Sequence, residues 1–434
     1  FPDSTISLSF FFSFFFHLNM EKTINKKFDL DRNYHLTNDI KKEDYLKIAL
    51  SSGSIANLNK AGPLRFQSHS PNPLDICNAI IAYKIKIDDL KDTENITLEN
   101  NFFPRMFSQM TLKLGTSEVE TIEYPGEVSS MLNFVMTDDD YKKEYGTLSG
   151  WIPDIATGDT AATNTSYDLR KKLYNKGFEG SFPLKKLFGF LQCYDRIIFL
   201  IPLEFSLNRI INNDEIFYGA PNDEAKVTIE DMELWIPQIT LNPMLEVKLL
   251  ERLNTNKDIN VSFLNRISQS IDISNQAVYN WPVANLSNRA RYIFVAFKNS
   301  TVGYQENNSK FIQYIGTNKI KSIRVRLNTS YYPELGMVFD ATKNHQLEPY
   351  NFYIEMCKRF NNSPQLNYLD FKDLYSIFCF DVSAQDEKLA SNGCDVTIHI
   401  TKDADLKVKC FCVILEEKTA KINLNDGKMH LFSS

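Results

Sequence analysis

Cys410 and Cys412 stand one residue apart, and paired thiols at close spacing can hold a metal or cycle through a disulfide. Their neighbours argue against both uses. Val408, Cys410, Cys412 and Ile414 alternate along a strand-like segment, which puts both thiols on one apolar face, so they are expected to pack as small buried hydrophobes. The remaining cysteines, at 77, 193, 357, 379 and 394, form no CxxC pair and bring the total to seven. An odd count in a long chain points to reduced thiols in an intracellular, reducing compartment. The six histidines, at 17, 35, 69, 345, 399 and 430, never come closer than eighteen residues, too far apart for any local metal-binding spacing.

No GxGxxG, P-loop or GxSxG pattern occurs. Gly146-Thr147-Leu148-Ser149-Gly150 comes near the last but misplaces its serine. Asp138-Asp139-Asp140 could attract a cation, yet it lacks the glycine and bidentate glutamate of a calcium loop. Lys319, Lys321, Arg324 and Arg326 make a basic strip beside Ile323, Val325 and Leu327. That strip is the solvated face of a half-buried strand, or a patch that meets phosphates without reading sequence. Tyr331, Tyr332, Tyr350, Phe352 and Tyr353 could stack on sugars or bases, with core and interface packing as the default. No residue is therefore expected to be catalytic, cofactor-binding or metal-ligating, and the chain is read as a non-enzyme without cofactors.

The elements that carry these residues are mainly strands. Ile81, Tyr83, Ile85 and Ile87 alternate with Ala82, Lys84 and Lys86, and Met110, Leu112 and Leu114 do the same. Ile197–Leu203 is a continuous apolar run, the pattern of a strand covered on both faces. Val227 and Ile229 are out of phase with Met232, Leu234 and Ile236, which predicts a bulge near Glu230-Asp231. Further strands are expected at Arg291–Phe297, Lys319–Leu327, Ile377–Val382, Asp395–Thr401, Leu406–Leu415 and Ala420–Leu424. Helical signals are few: Asn242-Pro243 ahead of Leu245–Leu253, the stripe Leu347, Tyr350, Ile354, Cys357, and a weaker candidate at Ser129–Val135. Strands without interleaved helices imply antiparallel sheets in sandwiches or barrels.

At 434 residues the chain has room for two or three domains of roughly 150 residues. The helix near 243 divides it into two β units, 74–242 and 243–434, preceded by an extended arm over 20–73. The Gly- and Thr-rich segment 137–183 reads as a long projecting surface loop. With 48 basic and 54 acidic residues, net charge -6, the balance excludes a strongly basic DNA-binding chain and an acidic tail alike. A hydrophobic content of 43% excludes global disorder. Eight Asn-x-Ser/Thr sites occur, as expected by chance in so Asn-rich a sequence. Residues 1–19 crowd six phenylalanines into Phe10–Phe16, too short a stretch to span a bilayer, which takes about 20 apolar residues. They read as a non-native or read-through leader ahead of a start at Met20, with a short membrane-active or hydrophobic arm as the rival.

Three segments resemble a known family. The first runs Asn175-Lys-Gly-Phe178, Gly180-Ser-Phe182-Pro183-Leu184-Lys-Lys-Leu187-Phe188-Gly189-Phe190 and Tyr194-Asp-Arg196. The second is Val227–Pro243, ending Leu234-Trp235-Ile236-Pro237-Gln-Ile239-Thr-Leu-Asn-Pro243, and the third runs from Pro364-Gln-Leu366 through Phe371, Tyr375 and Phe380-Asp381-Val-Ser383 to Lys421-Ile422-Asn423. Together they resemble the double jelly-roll major capsid proteins of Polinton/Maverick-type and adintovirus-like DNA viruses and integrated elements. The resemblance implies an all-β chain of two tandem antiparallel β-sandwich jelly rolls, with a few short helices and long surface loops. It also implies homotrimers of pseudo-hexagonal outline that self-assemble into an icosahedral virion shell around double-stranded DNA. Partners would be neighbouring capsomers, a single jelly-roll penton protein and, non-specifically, the packaged DNA, with no membrane span and assembly in the nucleus or cytoplasm. A carbohydrate- or ligand-binding jelly-roll module is the alternative reading.

Overall fold

The computed structural model describes residues 40–88, 96–138, 141–156, 165–211, 215–219, 226–254, 258–286, 289–300, 308–384, 394–423 and 428–432. The leader 1–19, Met20, the first part of the arm, Asp139, Asp140 and the Thr-rich centre of 137–183 lie outside the described residues.

Strands from the N-terminal half build two four-stranded antiparallel sheets. Sheet I runs β1 (Ile40–Ala49), β10 (Lys226–Leu241), β3 (Ile80–Asp88), β7 (Phe178–Pro183), and sheet II runs β2 (Gly62–Ser68), β8 (Leu203–Arg209), β5 (Phe107–Leu114), β6 (Ser117–Glu123). A two-stranded ladder joins β4 (Thr97–Leu98) to β9 (Phe217–Tyr218). The C-terminal half builds two five-stranded sheets. Sheet III runs β11 (Ile259–Ile273), β19 (Val408–Asn423), β13 (Arg289–Asn299), β17 (Ile377–Asp381), with β20 (Lys428–Phe432) also on β19. Sheet IV runs β12 (Val278–Leu286), β18 (Cys394–Lys402), β15 (Asn318–Leu327), β14 (Tyr314–Ile315), with β16 (Ser330–Val338) also on β15. Among the described residues every pairing stays within one half. This is a mostly β fold with antiparallel sheets and few helices, as the sequence predicts.

Sheet III is covered on both faces, and its strands show how. Along β13, Ile293, Val295 and Phe297 enter the core between sheets III and IV, while Phe294 and Ala296 enter a second core shared with the N-terminal half. Cys410, Cys412 and Ile414 of β19 join the first core, and Phe411, Val413 and Leu415 join the second. Alternate side chains point to opposite faces, so a sheet buried twice must be apolar at successive positions. That is why 292–297, 377–380 and 410–415 read as unbroken hydrophobic runs.

The bulge expected in β10 is present: Ile229 pairs with Ile85 and Asp231 with Lys84, leaving Glu230 as the extra residue. It re-phases the strand so that Val227 and Ile229 before it, and Met232, Leu234 and Ile236 after it, all reach the core. Among the described residues, three of the four helices longer than eight residues match sequence signals: α1 (Pro125–Met136), α3 (Pro243–Asn254) and α4 (Leu347–Arg359). The remaining one, α2 (Thr165–Tyr174), was not expected.

Several expectations need correction. Residues 40–68 are not an extended arm; they supply β1 and β2, one strand to each N-terminal sheet, with Leu64 and Phe66 fully buried. Of Ile197–Leu203 only the last residue lies in a strand, as the first of β8. Before it Ile198 makes an isolated bridge, to Leu74, and Leu200 turns outward with positive φ. The described parts of 137–183 do not project: Tyr141, Trp151, Tyr167, Arg170 and Tyr174 are buried. Leu406–Leu415 and Ala420–Leu424 belong largely to the single strand β19, and β11, β12 and β16 were missed.

Candidate functional site: the seam between the two halves

The second core lines a seam where the N-terminal half meets the outer face of sheet III. Helix α1 fills its centre. Pro125 opens the helix at a position where a missing N–H costs nothing, and nearly every residue of it is buried. Gly126 lets the turn Phe102–Arg105 close in, since a Cβ there would fall 2.4 Å from Arg105 Cγ. From the C-terminal half, Tyr353 Oη on α4 donates to Phe134 O (2.9 Å), Asn362 Nδ2 to Val135 O (3.3 Å) and Gln365 Nε2 to Thr137 O. These contacts satisfy the carbonyls that a helix end leaves open. The rings of Phe134 and Tyr375 meet across the seam at 4.4 Å, and those of Tyr124 and Phe411 at 5.5 Å.

Charges are buried here in balanced sets. Glu127 at the start of α1 pairs with Arg105 at 2.6 Å and with Lys298 of β13 at 3.1 Å. Burial alone would raise the Glu127 carboxyl, but Lys298 and Arg105 outweigh it and hold the group well below the usual carboxylate range. Arg170 of α2, fully buried, pairs with Asp154 at 2.8 Å and donates to Ile152 O at 2.7 Å. The Asp154 amide donates to Tyr375 Oη (2.9 Å) and the Ala156 amide to Asp370 Oδ1 (2.7 Å), both from the C-terminal half.

A third set involves the segment that carried the family resemblance. Glu120 of β6 accepts from the amides of Phe190 (3.1 Å) and Arg266 (2.9 Å). Arg266 of β11 in turn donates to Lys186 O (2.9 Å) and Gln192 Oε1 (2.6 Å). Burial raises the Glu120 carboxyl, against the pull of Arg266 and of the surrounding amides. Phe190 packs edge-on against Phe263 of β11, ring centroids 5.2 Å apart. The Phe-Gly-Phe run is thus the first half's docking edge against β11. Nearby, Ser268 Oγ accepts from the Glu123 amide (2.9 Å) and donates to its carbonyl (2.7 Å), so two sheet edges are joined by a side chain. A polar cavity of about 490 Å³ opens beside them, lined by Glu118, Thr121, Arg266, Gln269 and Lys418 among others.

The residues singled out for chemistry are spent on structure. Cys410 and Cys412 are free and buried, and burial pushes both thiols far up. Ser149 bonds Tyr141 Oη (2.8 Å) and Gly146 O (3.0 Å) within a tight turn, and Asp138 accepts from the Tyr141 amide (3.0 Å). In the basic strip Lys319 pairs with Asp340 and Lys321 with Asp403, each at 2.5 Å. Arg324 lies over the Tyr331 ring at 4.2 Å and Arg326 reaches Thr397 Oγ1 at 3.4 Å. Tyr350 and Tyr353 pack with Phe371. Among the described residues no group of His, Cys, Asp or Glu could hold a metal, and no helix is long and apolar enough to cross a membrane. Sequence reasoning missed the seam charges, because Glu127, Arg170 and Lys298 look like ordinary surface residues until their distant partners are in place.

Large apolar side chains also reach solvent in two groups. Met244, Val247 and Leu250 share a face of α3, and Leu335, Val338 and Leu347 surround the junction of β16 with α4. Beside the second group is an open, mainly apolar hollow of about 840 Å³, to which Phe352 and Tyr368 contribute.

Comparison with known proteins bears on what this architecture is. The chain is similar to a structure from the Sputnik virophage, with 10% identity, TM-score 0.61, and coverage of 92% of this chain and 90% of that one. It is also similar to the PBCV-1 virus capsid (10% identity, TM-score 0.58, coverage 90% and 96%) and to the mavirus major capsid protein (9% identity, TM-score 0.57, coverage 93% and 94%). At such identities the likeness concerns the fold. No curated protein matches in sequence. The family described as the double jelly roll-like domain matches residues 96–420, three quarters of the chain, and the chain belongs to that family.

Proposed function

We propose that this chain is a major capsid protein, the repeating subunit of an icosahedral shell around a double-stranded DNA genome. The observation that carries the reading is the extent of the likeness: both halves, and not one sandwich alone, align with viral capsid proteins over nine tenths of each chain. A lone sandwich fold hosts many functions, whereas two fused by a buried seam form a rigid block suited to tiling. In this reading the chain forms trimers of pseudo-hexagonal outline, contacts neighbouring capsomers and a penton-type partner, and descends from the Polinton/Maverick-type group. Its role is structural rather than catalytic. The exposed apolar groups on α3 and around Leu335 and Leu347 are suited to contacts between subunits.

The test is size-exclusion chromatography with light scattering, followed by negative-stain imaging of the purified protein. A species of ~150 kDa, the mass of three chains in a closed cyclic oligomer, with hexagonal outlines or closed shells, is the expected result. A folded monomer at all concentrations would sink the reading.

A further inference from the structure

We infer that Glu99 is a proton-operated latch across the seam, closed while its carboxyl is neutral and loosened when it ionises. Glu99 follows β4 and is fully buried, its own amide donating to Ile216 O at 2.8 Å. One carboxyl oxygen accepts from the main-chain amide of Asn308, and the Asn308 side chain donates to Phe217 O at 3.2 Å. This pair therefore ties a loop of the C-terminal half to the β4–β9 ladder of the N-terminal half. Among the described residues the other carboxyl oxygen has no hydrogen-bond partner.

The charged groups around Glu99 come from three elements: Arg170 on α2, Asp154 in the loop before it, and Arg105 in the turn after β4. Both guanidiniums are already committed, Arg170 to Asp154 and Arg105 to Glu127, and Glu127 is shared with Lys298, which also lies 3.9 Å from Glu215. Among the described residues neither arginine forms an ion pair with Glu99, so a carboxylate there would be buried with a single donor. Burial pushes the group up to about 7, with Asp154 adding to the rise and Arg170, Arg105 and the Asn308 amide opposing it.

The direction of the effect follows from linkage. An opened seam returns Glu99 to water and to its ordinary value of 4.5. The closed form then holds the proton more tightly than the open form. Its contribution to closure is complete below 4.5, weakens as pH rises toward 7, and is gone above it. The device belongs to the seam within one chain and holds whatever the assembly state.

Hydrogen exchange of the Asn308 amide tests it, measured on the full chain from pH 6 to 8, above the sequence pI of 5.7, and corrected for intrinsic rate. Opening should rise about fivefold from pH 6 to 7, reach about tenfold by pH 8 and level off above, and Glu99→Gln should remove that rise. In parallel, the melting temperature of the wild type relative to Glu99→Gln should fall between pH 6 and 7. A corrected exchange rate that is flat in the wild type would overturn the inference, and this readout does not need the variant to fold. A rise that persists in Glu99→Gln would overturn it as well.

Discussion

Gly189 lies so close beneath the carbonyl of Leu264 that a Cβ on it would fall 1.8 Å from that oxygen. The glycine belongs to the N-terminal half and the carbonyl to β11 of the C-terminal half, so the contact sets how near the two halves approach. Its backbone angle is not the issue, since Gly189 is not among the positive-φ positions; the space is. Gly189→Ala must push β11 away from the Phe188–Phe190 run and disturb the Glu120 bonds to Phe190 and Arg266. Overpacking of this kind costs about 1–3 kcal/mol, and the rigid backbone neighbour puts this site at the upper end. Chemical denaturation of the variant checks it, with a lowered midpoint expected.

Glu127 supports a second prediction. Its carboxylate neutralises Arg105 and Lys298 together, so Glu127→Gln strips Arg105 of its ion-pair partner and leaves Lys298 only the half-exposed Glu215 at 3.9 Å. Breaking a buried pair by removing one partner costs about 3–5 kcal/mol. The pH dependence has the opposite sign to that of Glu99. The folded value lies below the ordinary 4.5, so the stabilisation is present above 4.5 and is lost as pH falls toward the folded value. Acid titration followed by circular dichroism should show a destabilising step below pH 4.5 in the wild type that is reduced in Glu127→Gln.

Thiol reactivity gives a third. Only Cys193 is exposed, Cys77 is partly covered, and Cys357, Cys379, Cys394, Cys410 and Cys412 are buried. Burial raises the Cys77 thiol as well, and reaction requires the thiolate. A disulfide reagent at pH 8 should therefore label one thiol quickly and a second slowly, with the other five reacting only on unfolding. Mass spectrometry of the labelled native protein would locate the fast site at Cys193.

How much of this was legible in the sequence depends on where each residue's partner lies. In sheet III, β13, β17 and β19 were read correctly because both faces meet apolar surfaces, which leaves a hydrophobic run. β11 was missed although it is the longest edge of the seam. Its Asn265, Arg266 and Ser268 are buried but polar, satisfied by Glu416, Glu120 and Glu123 from distant elements. Its pattern resembles neither a core strand nor a surface strand. β1 was missed for the contrary reason: Ile40–Ala49 is an edge strand, mostly exposed and rich in charge, with Lys41, Lys42, Glu43, Asp44 and Lys47, as edges that resist aggregation are. The segment 137–183 misled because its glycines and threonines signal a loop, while Trp151 and Tyr174 enter the core against Phe134 and Phe102, and Arg170 is buried by its pair with Asp154, all partners distant in sequence. The run Phe182–Phe190 was noticed for its likeness to a family, but only the fold shows that it forms the docking edge.

The apolar group at β16 and α4 bears most directly on assembly. Leu335 is 93% exposed, Leu347 74% and Val338 72%, and the Val338 amide reaches Glu348 Oε2 at 3.4 Å, which holds strand and helix together. None of these three side chains contributes to the buried cores, so Leu335→Glu and Leu347→Glu should each change stability by no more than about 0.5 kcal/mol. In an interface between subunits the same changes would bury an unpaired charge, at a cost that a modest contact does not survive. On the proposed capsid reading the wild type elutes as a trimer, and the double variant is expected to melt with it and yet to elute as a monomer. Light scattering separates the cases: a double variant that remains trimeric would move the subunit contact elsewhere, with the Met244–Leu250 face of α3 as the next to be changed.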